Sequence, residues 1–183
     1  MEVLSEATDD FNEKKHLLGV GASCRVFFGK IYGYPTVIKV FNQTVGPWTD
    51  KQFRAELETL CSVQHPHINR LLAMSVNGIN RCLVLEHMDG GALDDRLMNT
   101  DLPVLQWQDR ARILLHVARG LVYMHSLNPP VIHRDVKTAN VLLQFKDGSV
   151  VAKVSDFGFA KDASEETMAN TQTSVGTAAD EHA

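Results

Sequence analysis

The chain has 183 residues, 44% of them hydrophobic and 22% charged, enough apolar material for a sizeable core in one large domain or two small lobes. A net charge of −4 provides no broad basic field for nucleic acid or an anionic membrane. No apolar run approaches transmembrane length, the start of the chain does not read as a signal peptide, and Cys24, Cys61 and Cys82 are too few and too scattered for a disulfide framework or a metal cage.

Residues 4–11 read as a short N-terminal helix or turn. Over 17–30, Leu18-Gly19-Val20-Gly21 leads into Arg25-Val26-Phe27-Phe28, a strand, a glycine turn and a second strand. Glycines in such a turn let backbone N–H groups approach a phosphate, and a plain hairpin would look the same. Residues 35–41 form a strand with Val37, Lys39 and Phe41 on one face and Ile38 and Val40 on the other. Both faces are apolar, so Lys39 either snorkels from an edge or requires a nearby anion.

Thr49 with Gln52 resembles a capping box opening a helix over 49–64. Phe53, Leu57, Leu60 and Cys61 form its apolar stripe, with Glu56 beside the stripe and Glu58 on the solvent side. Strands at 71–76 and 81–85 flank Asn77-Gly78, a strong hairpin signal. Residues 86–91, ending in two glycines, read as a link to a helical region at 92–98 and 106–125, whose core stripe is Ile113, Val117, Leu121 and Met124. Asn128-Pro129-Pro130 stops the last helix. A second hairpin pairs 141–145 with 150–155, and 161–177 is a polar loop rich in Thr, Ser and Glu.

The densest chemistry lies at 131–143. Val131-Ile132 and Leu142-Leu143 bracket His133-Arg134-Asp135, Lys137 and Asn140. A loop pinned by core at both ends holds charged groups in fixed relative positions, as catalysis needs. By chance, five such identities recur at odds on the order of one in ten thousand in a chain of this length.

His133-Arg134-Asp135-x-Lys137-x-x-Asn140, followed by Asp156-Phe157-Gly158, resembles the catalytic loop and metal motif of protein kinases. Trp107, Arg119-Gly120-Leu121, His125 and Pro129-Pro130, with Ala7-Thr8-Asp9-Asp10-Phe11 ahead of them, resemble the branch of plant receptor-like kinases, Pelle and interleukin-1-receptor-associated kinases. The resemblance spans residue 4 to about 177. It implies an α+β, two-lobed fold: a lead-in at 1–16, a β-rich N-lobe at 17–85, a hinge at 86–91, part of a helical C-lobe at 92–177 and an unrelated tail at 178–183.

It also implies ATP and Mg²⁺ as cofactors and a protein substrate phosphorylated on Ser or Thr in signal transduction. Asp135 would be the base, Lys137 would steady the γ-phosphate, and Lys39 would bind phosphates with Glu56 fixing it. Asn140 and Asp156 would hold the metal. Leu18, Gly19, Gly21, Val26, Val37 and Leu142 would enclose the nucleotide, the backbone of Glu86 and Met88 would bond adenine, and Leu85 would guard the back of the pocket. Cys24 stands where the family pattern has a third glycine, and Val37 where it has Ala, tightening the roof.

Arg134 beside Asp135 implies a switch by phosphorylation, with Thr167, Thr171, Thr173 and Ser174 as candidates. The family's Ala-Pro-Glu does not follow Thr177. The implied lack of further C-lobe helices leaves apolar surface on 106–125 open to self-association. A second reading is a nucleotide-binding module without useful catalysis, acting as a scaffold. The expected location is the cytoplasm, or the cytoplasmic part of a receptor-like protein.

Overall fold

The computed structural model describes residues 1–42, 47–77 and 80–162. Five antiparallel strands form one sheet in the order β1-β2-β3-β5-β4. They are β1 (Leu17–Val20), β2 (Cys24–Ile31), β3 (Tyr34–Asn42), β4 (Leu71–Asn77) and β5 (Asn80–Glu86). The β4–β5 turn expected at Gly78 lies outside the described residues.

The doubly apolar β3 is explained by burial on both faces. On one side Ile38, fully buried, joins Leu4, Phe27, Cys82 and Val84 beneath the N-terminal helix α1 (Glu2–Ala7). On the other, Phe41 joins Leu83 and Leu85 against Phe53 and Leu60 of α3 (Pro47–Ser62). That second core continues through Ile68, Met124, Val131, Val154 and Phe157, so one apolar cluster ties the sheet to the helical half.

The lead-in, expected over 4–11 as a helix or turn, is a helix that ends at Ala7 and then a turn. After α1, Asp9, Asp10 and Phe11 take φ values of 51°, 56° and 55°, a left-handed turn that a helix cannot include, and α2 (Glu13–His16) follows. The expected capping box is also corrected. Helix α3 begins at Pro47, whose fixed φ suits a first turn. Thr49 is therefore inside the helix, buried, with no hydrogen-bond partner for its Oγ1 among the described residues. Cys61 is exposed. Glu56 and Val63 are buried beside Phe53 and Leu60, which rotates the buried stripe toward Glu56.

Beyond the link come α4 (Leu93–Met98), α5 (Trp107–His125) and β6 (Val131–Ile132). A 3₁₀ turn at Thr138–Asn140 leads to β7 (Val141–Lys146), β8 (Ser149–Val154) and β9 (Lys161–Asp162). β7 and β8 form a hairpin, and β9 pairs with β6 rather than dissolving into loop. Ile113 of α5 packs on Leu143, Val150 and Ala152 of that hairpin. The opposite face of α5 leaves Trp107, Leu114 and Val122 largely exposed.

Ile38→Ala removes a fully buried side chain from beneath α1. It should lower unfolding stability by about 2–4 kcal/mol in urea titrations; a loss below ~1 kcal/mol would show that α1 does not seal that face.

Candidate active site

Strand β3 faces Lys39 inward, α3 turns Glu56 inward, and Asp156 sits two residues past the end of β8. The Lys39 ammonium lies 2.6 Å from Glu56 Oε2 and 2.9 Å from Asp156 Oδ1. Glu56 is 1% exposed, while Glu58 on the same helix is exposed. Burial pushes the Lys39 ammonium down, but Glu56 and then Asp156 outweigh it and hold it above its ordinary value. Burial pushes the Asp156 carboxyl up, and Lys39 more than reverses this, so it stays below its ordinary value. Burial drives Glu56 upward against the pull of Lys39. The anion that β3 required is thus two carboxylates.

The catalytic-loop motif assembles beside them. His133, 1% exposed, donates from Nε2 to Ser155 O at 3.0 Å and accepts from the Asp135 N–H at Nδ1 at 3.3 Å. Its ring lies 4.9 Å from that of buried Phe157. The Asn140 amide donates to Asp135 O at 2.8 Å and Oδ2 at 3.0 Å. The Ser155 N–H and hydroxyl both donate to Asn140 O, at 2.9 and 3.1 Å. Lys137 Nζ donates to Asp135 Oδ2 at 2.7 Å. Thr138 hydrogen-bonds Asp94 of α4, anchoring the loop from below. Arg134 and Asp156 adopt φ values of 69° and 62°, conformations costing of order 1 kcal/mol or more that persist only where surroundings impose them.

The residues expected to enclose a nucleotide meet less completely. Val26 stands opposite Lys39 in the β2–β3 register, and Val37 packs on the core that includes Leu85. Leu18 is 56% exposed, and an added Cβ on Gly19 would meet nothing within 4 Å. Gly21 closes the turn by donating to Cys24 O at 2.8 Å. Cys24 is half-buried, its Sγ within 3.4 Å of a Cβ built on Gly21. Met88 is buried in the link. Leu142 shares a face with its register partner Lys153, whose ammonium lies 2.6 Å from Glu86.

Sequence reasoning missed three positions. Lys153 binds the Glu86 carboxylate, which also accepts from the Arg70 N–H at 2.7 Å, linking the end of β5 to β8. Phe28, two residues beyond Val26 and so on the same face, meets His87 edge-on at 5.0 Å; strand alternation alone could have flagged it. Asp94 had no local signal. Thr167, Thr171, Thr173, Ser174 and Thr177 lie outside the described residues.

The donor chemistry fits a hard cation. With its amide nitrogen directed to Asp135, Asn140 retains Oδ1, and Asp156, bonded to Lys39 at one oxygen and to the Gly158 backbone, still has carboxylate lone pairs to offer. Such oxygens suit a metal that keeps water and phosphate ligands. Among the described residues no three His, Cys, Asp or Glu gather into a metal cage.

A β-rich lobe joined to helices, with a lysine–glutamate pair meeting these two motifs at one cleft, defines a protein kinase domain. The protein kinase domain family model matches residues 12–179, and the chain belongs to that family. Three curated relatives, all from Arabidopsis thaliana, resemble it. U-box domain-containing protein 52 is 38% identical over 183 residues, covering 96% of this chain and 21% of that protein. Proline-rich receptor-like protein kinase PERK15 is 38% identical over 162 residues, 87% of this chain and 31% of its own length. Receptor-like protein kinase THESEUS 1 is 39% identical over 163 residues, 86% and 18%. The chain thus spans less than a third of the length of these relatives.

Lys39→Met strands the Glu56 carboxylate without its cation. It should cost about 3–5 kcal/mol at pH 7 in urea unfolding. An unpaired buried carboxyl titrates high. Its stabilising neutral form is therefore complete below the unfolded pKa and lost as pH rises through the folded one, so the deficit should narrow from pH 7 toward pH 5. Equal deficits at both pH values would mean that Glu56 is not the charge left behind.

Proposed function

We propose that this chain is the nucleotide-binding and catalytic-loop portion of an ATP-dependent protein Ser/Thr kinase. The supporting observation is one unbroken series of contacts from Glu56 through Lys39 and Asp156, and from adjoining Ser155 through Asn140 and Asp135 to Lys137. Phosphoryl transfer is mostly positioning and charge neutralisation, and this series supplies both. Asp135 accepts the proton of the substrate hydroxyl. Lys137, already turned toward Asp135, meets the transferring phosphoryl group. Lys39, fixed by Glu56, binds the non-transferred phosphates, and Gly19 and Gly21 cover them. Leu18, Val26, Val37 and Leu142 enclose the base, with backbone contacts from Glu86 and Met88. Asn140 and Asp156 would hold Mg²⁺, which would supply positive charge to offset that of the phosphates.

The Ser/Thr assignment draws on Lys137 in the loop and on relatives named as serine/threonine-protein kinases. We place the N-lobe at 17–85, the hinge at 86–91 and part of the C-lobe from 92, acting on the cytoplasmic side in signalling. No described helix is long and apolar enough to cross a membrane. Arg134 borders a groove of about 830 Å³ lined also by Lys51, Lys161, Glu58 and Arg54, the last paired with Asp50. A phosphate on Thr167, Thr171, Thr173 or Ser174 entering that groove would form charge-assisted pairs.

Incubated with Mg²⁺–ATP and a generic protein substrate, the chain should yield phosphoserine and phosphothreonine. Asp135→Ala should reduce that transfer about 10²–10⁴-fold. Nucleotide-dependent thermal stabilisation without transfer would instead support a binding module. The exposed Trp107, Leu114 and Val122 face should drive self-association; a concentration-independent monomer in sedimentation would contradict that.

A further inference from the structure

Strand β8 delivers Asp156, and its edge away from β7 carries backbone groups that burial obliges to pair. Val154 pairs through backbone: its N–H donates to His67 O at 2.9 Å and its C=O accepts from the Asn69 N–H at 2.8 Å. Ala152, two residues earlier and fully buried, is paired there by side chains instead. Its N–H donates to His116 Nδ1 at 3.2 Å, and its C=O accepts from His67 Nδ1 at 3.1 Å. The two rings stack, with centroids 4.0 Å apart and planes at 15°. His67 comes from the α3–β4 connection and His116 from α5. Gly120, one turn beyond His116, permits this approach, since a Cβ there would stand 2.9 Å from His67 O.

These bonds assign the tautomers. His67 carries its proton on Nδ1, whereas His116 keeps Nδ1 bare and its proton on Nε2. A further proton on His116 can only go to Nδ1, where it abolishes the acceptor and sets one N–H against another.

We propose that His116, together with His67, is a positioning residue for phosphoryl transfer: the neutral pair completes the edge of β8 and so holds Asp156 in register with Lys39. The inference rests on the kinase reading above. The pair ties the connection that leaves α3, the helix of Glu56, and helix α5 to the strand that leads into Asp156.

The surroundings favour the neutral state. Arg112 and Arg119 of α5, Lys153 of β8 and His65 of the α3–β4 connection act on the pair. His65 itself stacks on Tyr123 at 5.0 Å. Arg112 bonds Ser149 and lies 3.5 Å from Asp109, and Lys153 is paired with Glu86. Among the described residues no carboxylate contributes to the charge on either ring. Burial is the largest cause for both rings; the Ala152 carbonyl pulls His67 the other way without reversing it, and His116 is lowered further by His67 and then Arg119 and Arg112, to about 4. The stability from the neutral pair is therefore complete above the ordinary imidazole value of 6.5 and is lost as pH falls toward 4.

Two variants of the full chain separate positioning from packing. His116→Asn puts an acceptor oxygen where Nδ1 stood and cannot be protonated, whereas His116→Leu fills the space without an acceptor. Near pH 5, unfolding of the wild type should take up about one more proton than unfolding of His116→Asn, read from the pH dependence of urea stability. At pH 7.5, thermal shifts with ATP plus Mg²⁺ or plus EDTA report the metal-dependent part of binding. His116→Asn should keep it, and His116→Leu should weaken it about tenfold or more in apparent affinity. Should the Leu variant not fold, His116→Gln, whose acceptor sits one carbon farther out, replaces it with the same expected loss. A wild type that gains no stability from Mg²⁺–ATP overturns the kinase reading, and this inference falls with it. A wild type that does gain it, alongside equal behaviour of the Asn and Leu variants or equal proton uptake, overturns the positioning role alone.

Discussion

A single ammonium governs this architecture. Lys39 lies on a strand apolar on both faces and is held by carboxylates from two other elements, Glu56 at 2.6 Å and Asp156 at 2.9 Å. Desolvating a cation costs several kcal/mol, so β3, α3 and the exit of β8 have to converge for the sheet to tolerate it. The core running from Phe41 and Leu83 through Phe53 to Val154 and Phe157 supplies that convergence with non-directional burial, and the ion pairs fix its register.

The second half of the site hangs on one strand end. Ser155 bonds Asn140, Asn140 bonds Asp135, and His133 spans Ser155 and Asp135 from below. Each group is held by a neighbour that is itself held, so the Asp135 carboxylate and the Asn140 amide have little freedom left to lose. The cost appears in the backbone, where Arg134 and Asp156 are left-handed without being glycine.

Histidines do unusual structural work around β8. His133 caps Ser155, while His67 and His116 stand in for a missing strand at Ala152. An imidazole can be donor, acceptor or both, which suits an edge where the backbone needs one of each. The Lys153–Glu86 pair extends the same fastening to the end of β5. Together these contacts connect β5 and α5 to the strand leading into Asp156.

Much of this was legible in the residues. The β3 pattern demanded an anion for Lys39; Glu56 against Glu58 was readable from helical phase; the two hairpins announced themselves through Asn-Gly and Asp-Gly turns. Pinned between apolar pairs, the His133–Asn140 spacing marked out the kinase-like loop motif because local sequence sets local geometry. Elsewhere local signals misled. Pro47 opened α3 ahead of Thr49, and packing turned Cys61 outward in favour of Val63. Contacts across more than a hundred residues, such as Lys39 with Asp156, or between a helix face and a strand edge, such as His116 with Ala152, carry no periodicity or turn signature. They exist only once burial has brought distant segments together and left particular backbone groups to be satisfied, and that is settled by the three-dimensional packing alone.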